Sequence, residues 1–132
     1  MRARGFTLLE MMVVCILISV LASIAYPSYA GYILKTRRAE GKAALLAAAV
    51  QMERYMTERS TYATAALGPG GVYPNRTENG TYALALANLS ASTFLLRAIP
   101  VGAQVDDSCG TLTYSDSGAK GVTGPTPVSQ CW

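Results

Sequence analysis

Arg4-Gly-Phe-Thr-Leu-Leu-Glu10, continuing into the apolar run Met11 to Tyr26, decides how the rest of the chain is read. From Phe6 to Tyr26 there are 21 residues, and Glu10 is the one charged residue among them. At about 1.5 Å per helical residue the stretch spans roughly 30 Å, the depth of a bilayer's hydrocarbon core. A carboxylate held at that depth is costly unless something pairs with it. The residues before the run, Met1-Arg-Ala-Arg-Gly5, are short and basic, in the order of an export signal. Two small-residue junctions are open to cleavage. One follows apolar residues, around Ser19, Ala22 and Ser23, where an ordinary signal peptide is cut. The other, Gly5-Phe6, precedes them. Cutting there keeps the apolar helix and creates an α-amino group on Phe6, about one helical turn from Glu10. A plain membrane anchor with a stray glutamate is the remaining alternative.

Gly5-Phe-Thr-Leu-Leu-Glu10 ahead of an apolar helix resembles the class III signal of type IV pilins and the related pseudopilins. The resemblance implies that a membrane-embedded prepilin peptidase cuts between Gly5 and Phe6 and N-methylates Phe6, and that Glu10 is the filament-assembly glutamate. Physical cost gives Glu10 that role. In oil its carboxylate needs a cation, and the Phe6 ammonium of a neighbouring subunit supplies one. Any other axial offset leaves a charge buried and unpaired. The implied division is a leader over 1–5, a transmembrane and polymerisation helix over 6–27, and a periplasmic globular domain over 28–132. The implied path is single-pass insertion in the inner membrane, then export into an extracellular pilus.

Composition narrows the chemistry. The chain has 132 residues, 51% of them apolar, and a formal charge of +3. Losing Arg2 and Arg4 leaves +1, too little to steer nucleic acid by net charge. Histidine is absent, which removes the usual general base and the commonest transition-metal ligand. No zinc-spaced cysteine pair or phosphate-binding glycine loop is visible. These omissions argue against an enzyme and call for no cofactor, metal or catalytic residue. Cys15 reads as a small apolar filler in the anchor. Cys109 and Cys131, in the exported part of a small protein, read as a disulfide, and pilins commonly close a C-terminal loop in this way. Lys35, Arg37, Arg38 and Lys42 outnumber Arg2 and Arg4, so a bare positive-inside count would put the body in the cytoplasm. The disulfide and the leader overrule it.

Beyond the anchor, Ile33, Leu34, Gly41, Leu45, Ala48, Met52, Tyr55 and Met56 recur at three- and four-residue steps. This predicts one helix from Phe6 to about Glu58. Pro27 lacks the N–H that would meet the Ser23 carbonyl, so a helix kink is expected there. Lys35, Arg37, Arg38 and Lys42 read as a solvated basic face. Residues 60–80 read as a loop pinned by Tyr62 and Leu67, and its Asn-X-Ser/Thr triplets as chance. From Thr81 the period becomes two. Tyr82, Leu84 and Leu86, then Phe94, Leu96 and Ala98, then Leu112 and Tyr114 predict three antiparallel strands. A fourth is expected around Ala119 to Val122. Asp106, Asp107 and Asp116 read as turn formers, not calcium ligands. The fold class is therefore α+β: a long N-terminal helix, its first half transmembrane, packed on a small antiparallel sheet of three to four strands.

The ending Cys109-Gly to Cys131-Trp132 resembles the PilE-type branch of the pilins. The leading expectation is a structural subunit of a type IV pilus, a major or minor pilin, serving adhesion, twitching motility or DNA uptake. Its expected partners are other pilin subunits, the prepilin peptidase, an inner-membrane assembly platform and, before assembly, membrane lipid. The alternatives are a pseudopilin of a type II secretion system and a competence pilin that binds DNA.

Overall fold

In a computed structural model, residues 5–132 are described. Helix α1 runs from Leu8 to Arg59, with Pro27 inside it. It is followed by strands β1 (Tyr82–Ala87) and β2 (Leu95–Pro100), a 3-10 turn (Gly102–Asp106), β3 (Leu112–Ser115), β4 (Lys120–Val122) and a last short helix, α2 (Val128–Cys131). The chain divides into two compact units between Ile33 and Leu34.

The first unit is the apolar half of α1, and no residue of it is buried from Gly5 to Tyr32. The second unit holds the core. Its four strands form one sheet in sequence order, each antiparallel to the next. Alternation along the strands sends Tyr82, Leu84, Leu96, Ala98 and Leu112 to one face, where they are buried. On α1 the buried positions Gly41, Ala44, Leu45, Ala48, Ala49 and Met52 repeat at helical spacing and form the facing stripe. At Gly41 the helix packs directly against Tyr82 of β1. A Cβ there would lie 2.9 Å from the Tyr82 ring.

The expected loop pins hold. Tyr62 is buried edge-on against Phe94, with centroids 4.9 Å apart, and its hydroxyl donates to Glu53 at 3.0 Å. Burial first, then Glu53, pushes the Tyr62 phenol up to about 12. Leu67 bridges Tyr73 within the same loop. Cys109 and Cys131 form a disulfide. Gly110 follows it with φ +62 and packs its backbone against Thr123 and Gly124, a conformation and a closeness that both favour glycine. Trp132 closes the far edge of the core, its indole N–H donating to the Gly121 carbonyl.

Candidate functional site

The first of the expected site residues lie at the start of α1. Gly5 and Phe6 precede the helix and are exposed, Phe6 at 79%. Thr7 caps the helix: its Oγ1 accepts the Glu10 N–H at 3.2 Å, and its carbonyl accepts the Met11 N–H at 3.2 Å. Thr7-Leu-Leu-Glu10 thus has the spacing of a capping box, with Glu10 in the first helical turn where the dipole favours an anion. That signal was present in the sequence and went unread. The Glu10 side chain makes no hydrogen bond or ion pair among the described residues.

Behind Glu10 the surface is continuous oil. Leu8, Leu9, Met12, Ile16, Leu17, Leu21 and Ile24 are each more than half exposed. Contiguous apolar area on this scale does not persist in water. Its few polar groups are satisfied within the helix. The Ser19 hydroxyl donates to the Cys15 carbonyl and the Ser23 hydroxyl to that of Val20, both at 2.7 Å. Cys15 is an exposed free thiol. This helix is long and apolar enough to cross a membrane.

The globular unit carries a buried polar cluster that sequence reasoning missed. Arg38, grouped above with the solvated basic face, is turned inward. Its Nε and Nη2 donate to the two carboxylate oxygens of Asp107, at 2.8 and 2.5 Å. The side chains are only 13% and 1% exposed. Asp107, read above as a turn former, is therefore an ion-pair partner as well. Its Oδ1 also accepts the Cys109 N–H, which ties the pair to the disulfide. Tyr82 Oη donates to Asp107, and the Gln104 amide donates to Tyr82, to Asp107 and to the Leu34 carbonyl. Gln104 Oε1 is buried with no partner among the described residues.

Burial opposes the Asp107 charge, but Arg38, the Cys109 N–H and Tyr82 outweigh it and hold the carboxyl below its ordinary range. Burial pushes the Tyr82 phenol up to about 12. Glu40 makes a second clasp, accepting the Asn79 N–H at 2.9 Å and the Thr81 hydroxyl at 3.1 Å. Partial burial works against its charge, yet these donors lower its pKa. Lys35, Arg37 and Lys42 remain at least partly open to solvent, as expected. No group of three metal-ligating side chains occurs among the described residues.

The family model described as "Type IV minor pilin ComP, DNA uptake sequence receptor" matches residues 27–113. A second, "Prokaryotic N-terminal methylation motif", matches residues 1–26. A "Fimbrial protein" of Dichelobacter nodosus is 30% identical over 122 residues, covering 92% of this chain and 76% of that protein. A "Type II secretion system core protein G" of Dickeya chrysanthemi is 37% identical over 71 residues, or 54% of this chain and 46% of that protein. The solved structure of the non-core minor pilin PilV of Neisseria meningitidis has a TM-score of 0.60 at 23% identity, covering 74% of this chain and 95% of that one. At that identity the likeness speaks for the fold alone.

Proposed function

Since this chain belongs to the type IV pilin family, matching its ComP minor-pilin model, we propose that it is made as a prepilin, cut between Gly5 and Phe6 and N-methylated at Phe6. Residues 6–27 then hold it in the inner membrane, globular domain in the periplasm, until an assembly platform draws it into a pilus. One observation carries this reading: the first half of α1 presents apolar surface on every side and buries none of it. Two environments satisfy such a surface, lipid and a bundle of copies, and a filament subunit passes from one to the other. Glu10 selects the axial position by pairing with a neighbour's Phe6 amine, because a mismatched register strands a charge in oil.

Intact-mass analysis of the membrane-extracted protein tests the processing step. A chain beginning at methylated Phe6 is expected, and one still beginning at Met1 overturns it. Immunoblots of sheared surface fibres test the assembly step. Glu10→Gln should be cut and inserted normally yet be depleted from fibres, whereas wild-type incorporation removes Glu10 from the mechanism.

A second role in the same filament is favoured by the ComP match, whose description names a DNA uptake sequence receptor. Duplex DNA binding by the full chain in detergent micelles tests it. The secretion-system relative marks the competing outcome, in which deletion abolishes protein secretion and leaves surface fibres intact.

A further inference from the structure

Asn79 is followed by Gly80, whereas the other asparagines, Asn75 and Asn88, are followed by Arg76 and Leu89. An asparagine side chain is open to attack by the backbone nitrogen of the next residue, and a side chain on that residue obstructs the attack. Gly80 has none. Beyond its chain neighbours, no atom lies within 4 Å of where a Cβ would stand on Gly80. Asn79 is exposed, in a turn over 77–80 that the Gly80 N–H closes by donating to the Thr77 carbonyl at 2.9 Å. That bond holds the attacking nitrogen's proton and must open first. In an exposed loop such opening is among the least costly motions of a fold. Asn75 is held differently: its carbonyl accepts the Leu84 N–H at 2.8 Å, and its side chain lies against Gly68. Asn88 precedes half-buried Leu89, which packs on the core.

Glu40 faces this turn from α1. One of its carboxylate oxygens accepts the Asn79 N–H and the other the Thr81 hydroxyl, so helix and loop are tied here. Burial works against the Glu40 charge, but the Asn79 N–H, the Asn79 side-chain amide and the Thr81 and Thr77 hydroxyls outweigh it. The turn also leads directly into the core. The Thr77 N–H donates to the Tyr82 carbonyl, and the Tyr82 N–H to Thr77 Oγ1. Glu40, Glu78 and Arg76 line one groove with Ala43 and Tyr73. A carboxylate at position 79 would raise two acids against one cation to three against one.

We propose that Asn79 is a site of spontaneous deamidation, and that the carboxylate it gains unfastens the loop over 60–80 from α1 at Glu40. The Gly80 nitrogen bonds to the side-chain carbonyl carbon of Asn79. The bond from that carbon to the amide nitrogen breaks, and ammonia leaves with the proton from Gly80. Water then opens the cyclic imide at either carbonyl. One product is aspartate in the original main chain, the other isoaspartate. The first sets like charges together where a donor met an acceptor. The second adds a carbon to the main chain inside a turn held at both ends. No enzyme or redox partner enters the reaction, so the altered fraction rises with the age of the subunit.

The experiment holds the full chain, in detergent micelles, in mildly alkaline buffer over a time course. Digests are mapped by mass spectrometry, and isoaspartate is scored by enzymatic methylation. Asn79 should take the amide-to-carboxyl mass change and give both products, while Asn75 and Asn88 keep their amides. Asn79→Gln should leave that segment unchanged. Fresh Asn79→Asp reports on the clasp. Hydrogen-exchange protection of the residue 79 amide should fall about tenfold, the worth of one hydrogen bond to a charged acceptor. In a Glu40→Gln background the same substitution should cause no such fall, because the repulsion has lost one partner. An amide retained at Asn79 through the time course overturns the site, and its loss from the chain unfolded in urea would identify the turn as the shield. Asn79-Gly-Thr81 is also one of the Asn-X-Ser/Thr triplets. A sugar on Asn79 in protein drawn from its own cells overturns the site too, since the amide is then blocked. Equal protection in wild type and Asn79→Asp overturns the release of the loop.

Discussion

Asp107 shows how much a single side chain settles here. It lies 69 residues from Arg38, is 1% exposed, and holds a guanidinium, a phenol and the backbone of the disulfide turn at once. Deleting one partner leaves the other charge buried, so Arg38→Ala should cost about 3–5 kcal/mol. Lys35→Ala, at an exposed position, should stay within about 0.5 kcal/mol. Denaturant midpoints at neutral pH separate the two. The pair also sets an acid limit. The Asp107 carboxyl is held below its ordinary range in the folded state, so its contribution is full above the unfolded value of about 4. It is lost as pH falls through the lower folded value. Chemical unfolding followed from pH 7 downwards should show wild-type stability dropping in that window. Asp107→Asn, weaker at pH 7, should show a flatter acid limb. A steric limit sits nearby: Gly41→Ala places a methyl 2.9 Å from the Tyr82 ring, and should destabilise by about 1–3 kcal/mol.

At the scale of elements, what could be read from the chain was whatever periodicity writes. Helix α1 ends at Arg59, one residue from the expected Glu58, because its apolar stripe and its helix formers stop together. Strands β1, β2 and β3 fall where Tyr82, Leu84, Leu96 and Leu112 mark a period of two, and β4 falls within the short segment expected around Ala119 to Val122. The 3-10 turn at Gly102–Asp106 and helix α2 went unread, since five and four residues are too few to show a period. The inward turn of Arg38 was also invisible. Nothing local tells a basic residue on an amphipathic helix that a carboxylate will arrive from 69 residues away. The Cys109–Cys131 bridge was legible from compartment and number. It closes the stretch holding β3, β4 and α2, whose edge strand β4 has only three residues. Changing both cysteines to serine should cost about 3 kcal/mol, the chain-entropy value for a loop of this length. Unfolding curves with and without reductant should reproduce that loss in the wild type and show no further loss in the double serine variant.

Taken whole, the chain is two units built for different solvents. Every buried core residue lies between Leu34 and Trp132, and so do both ends of the Arg38–Asp107 pair and of the disulfide. Among the described residues the first unit contributes none of these and exposes large side chains from Phe6 to Tyr32. The sequence pattern also changes along α1, from an all-round apolar segment to a one-sided stripe, with the expected boundary at 27/28 and the division between units at 33/34. Its energetic consequence can be measured. If the core owes nothing to the apolar segment, residues 34–132 alone should be soluble without detergent and unfold in one cooperative step. Asp107→Asn should lower the midpoint of that fragment and of the full chain in micelles by the same amount, since sites that share no partner add independently. The full chain without detergent should sediment as aggregate, because exposed apolar surface beyond a few hundred Å² drives association. A fragment that shows no cooperative transition in circular dichroism would place the apolar segment inside the folding unit. The passage from membrane to filament would then require unfolding the domain, and not merely exchanging lipid for other copies around an intact one.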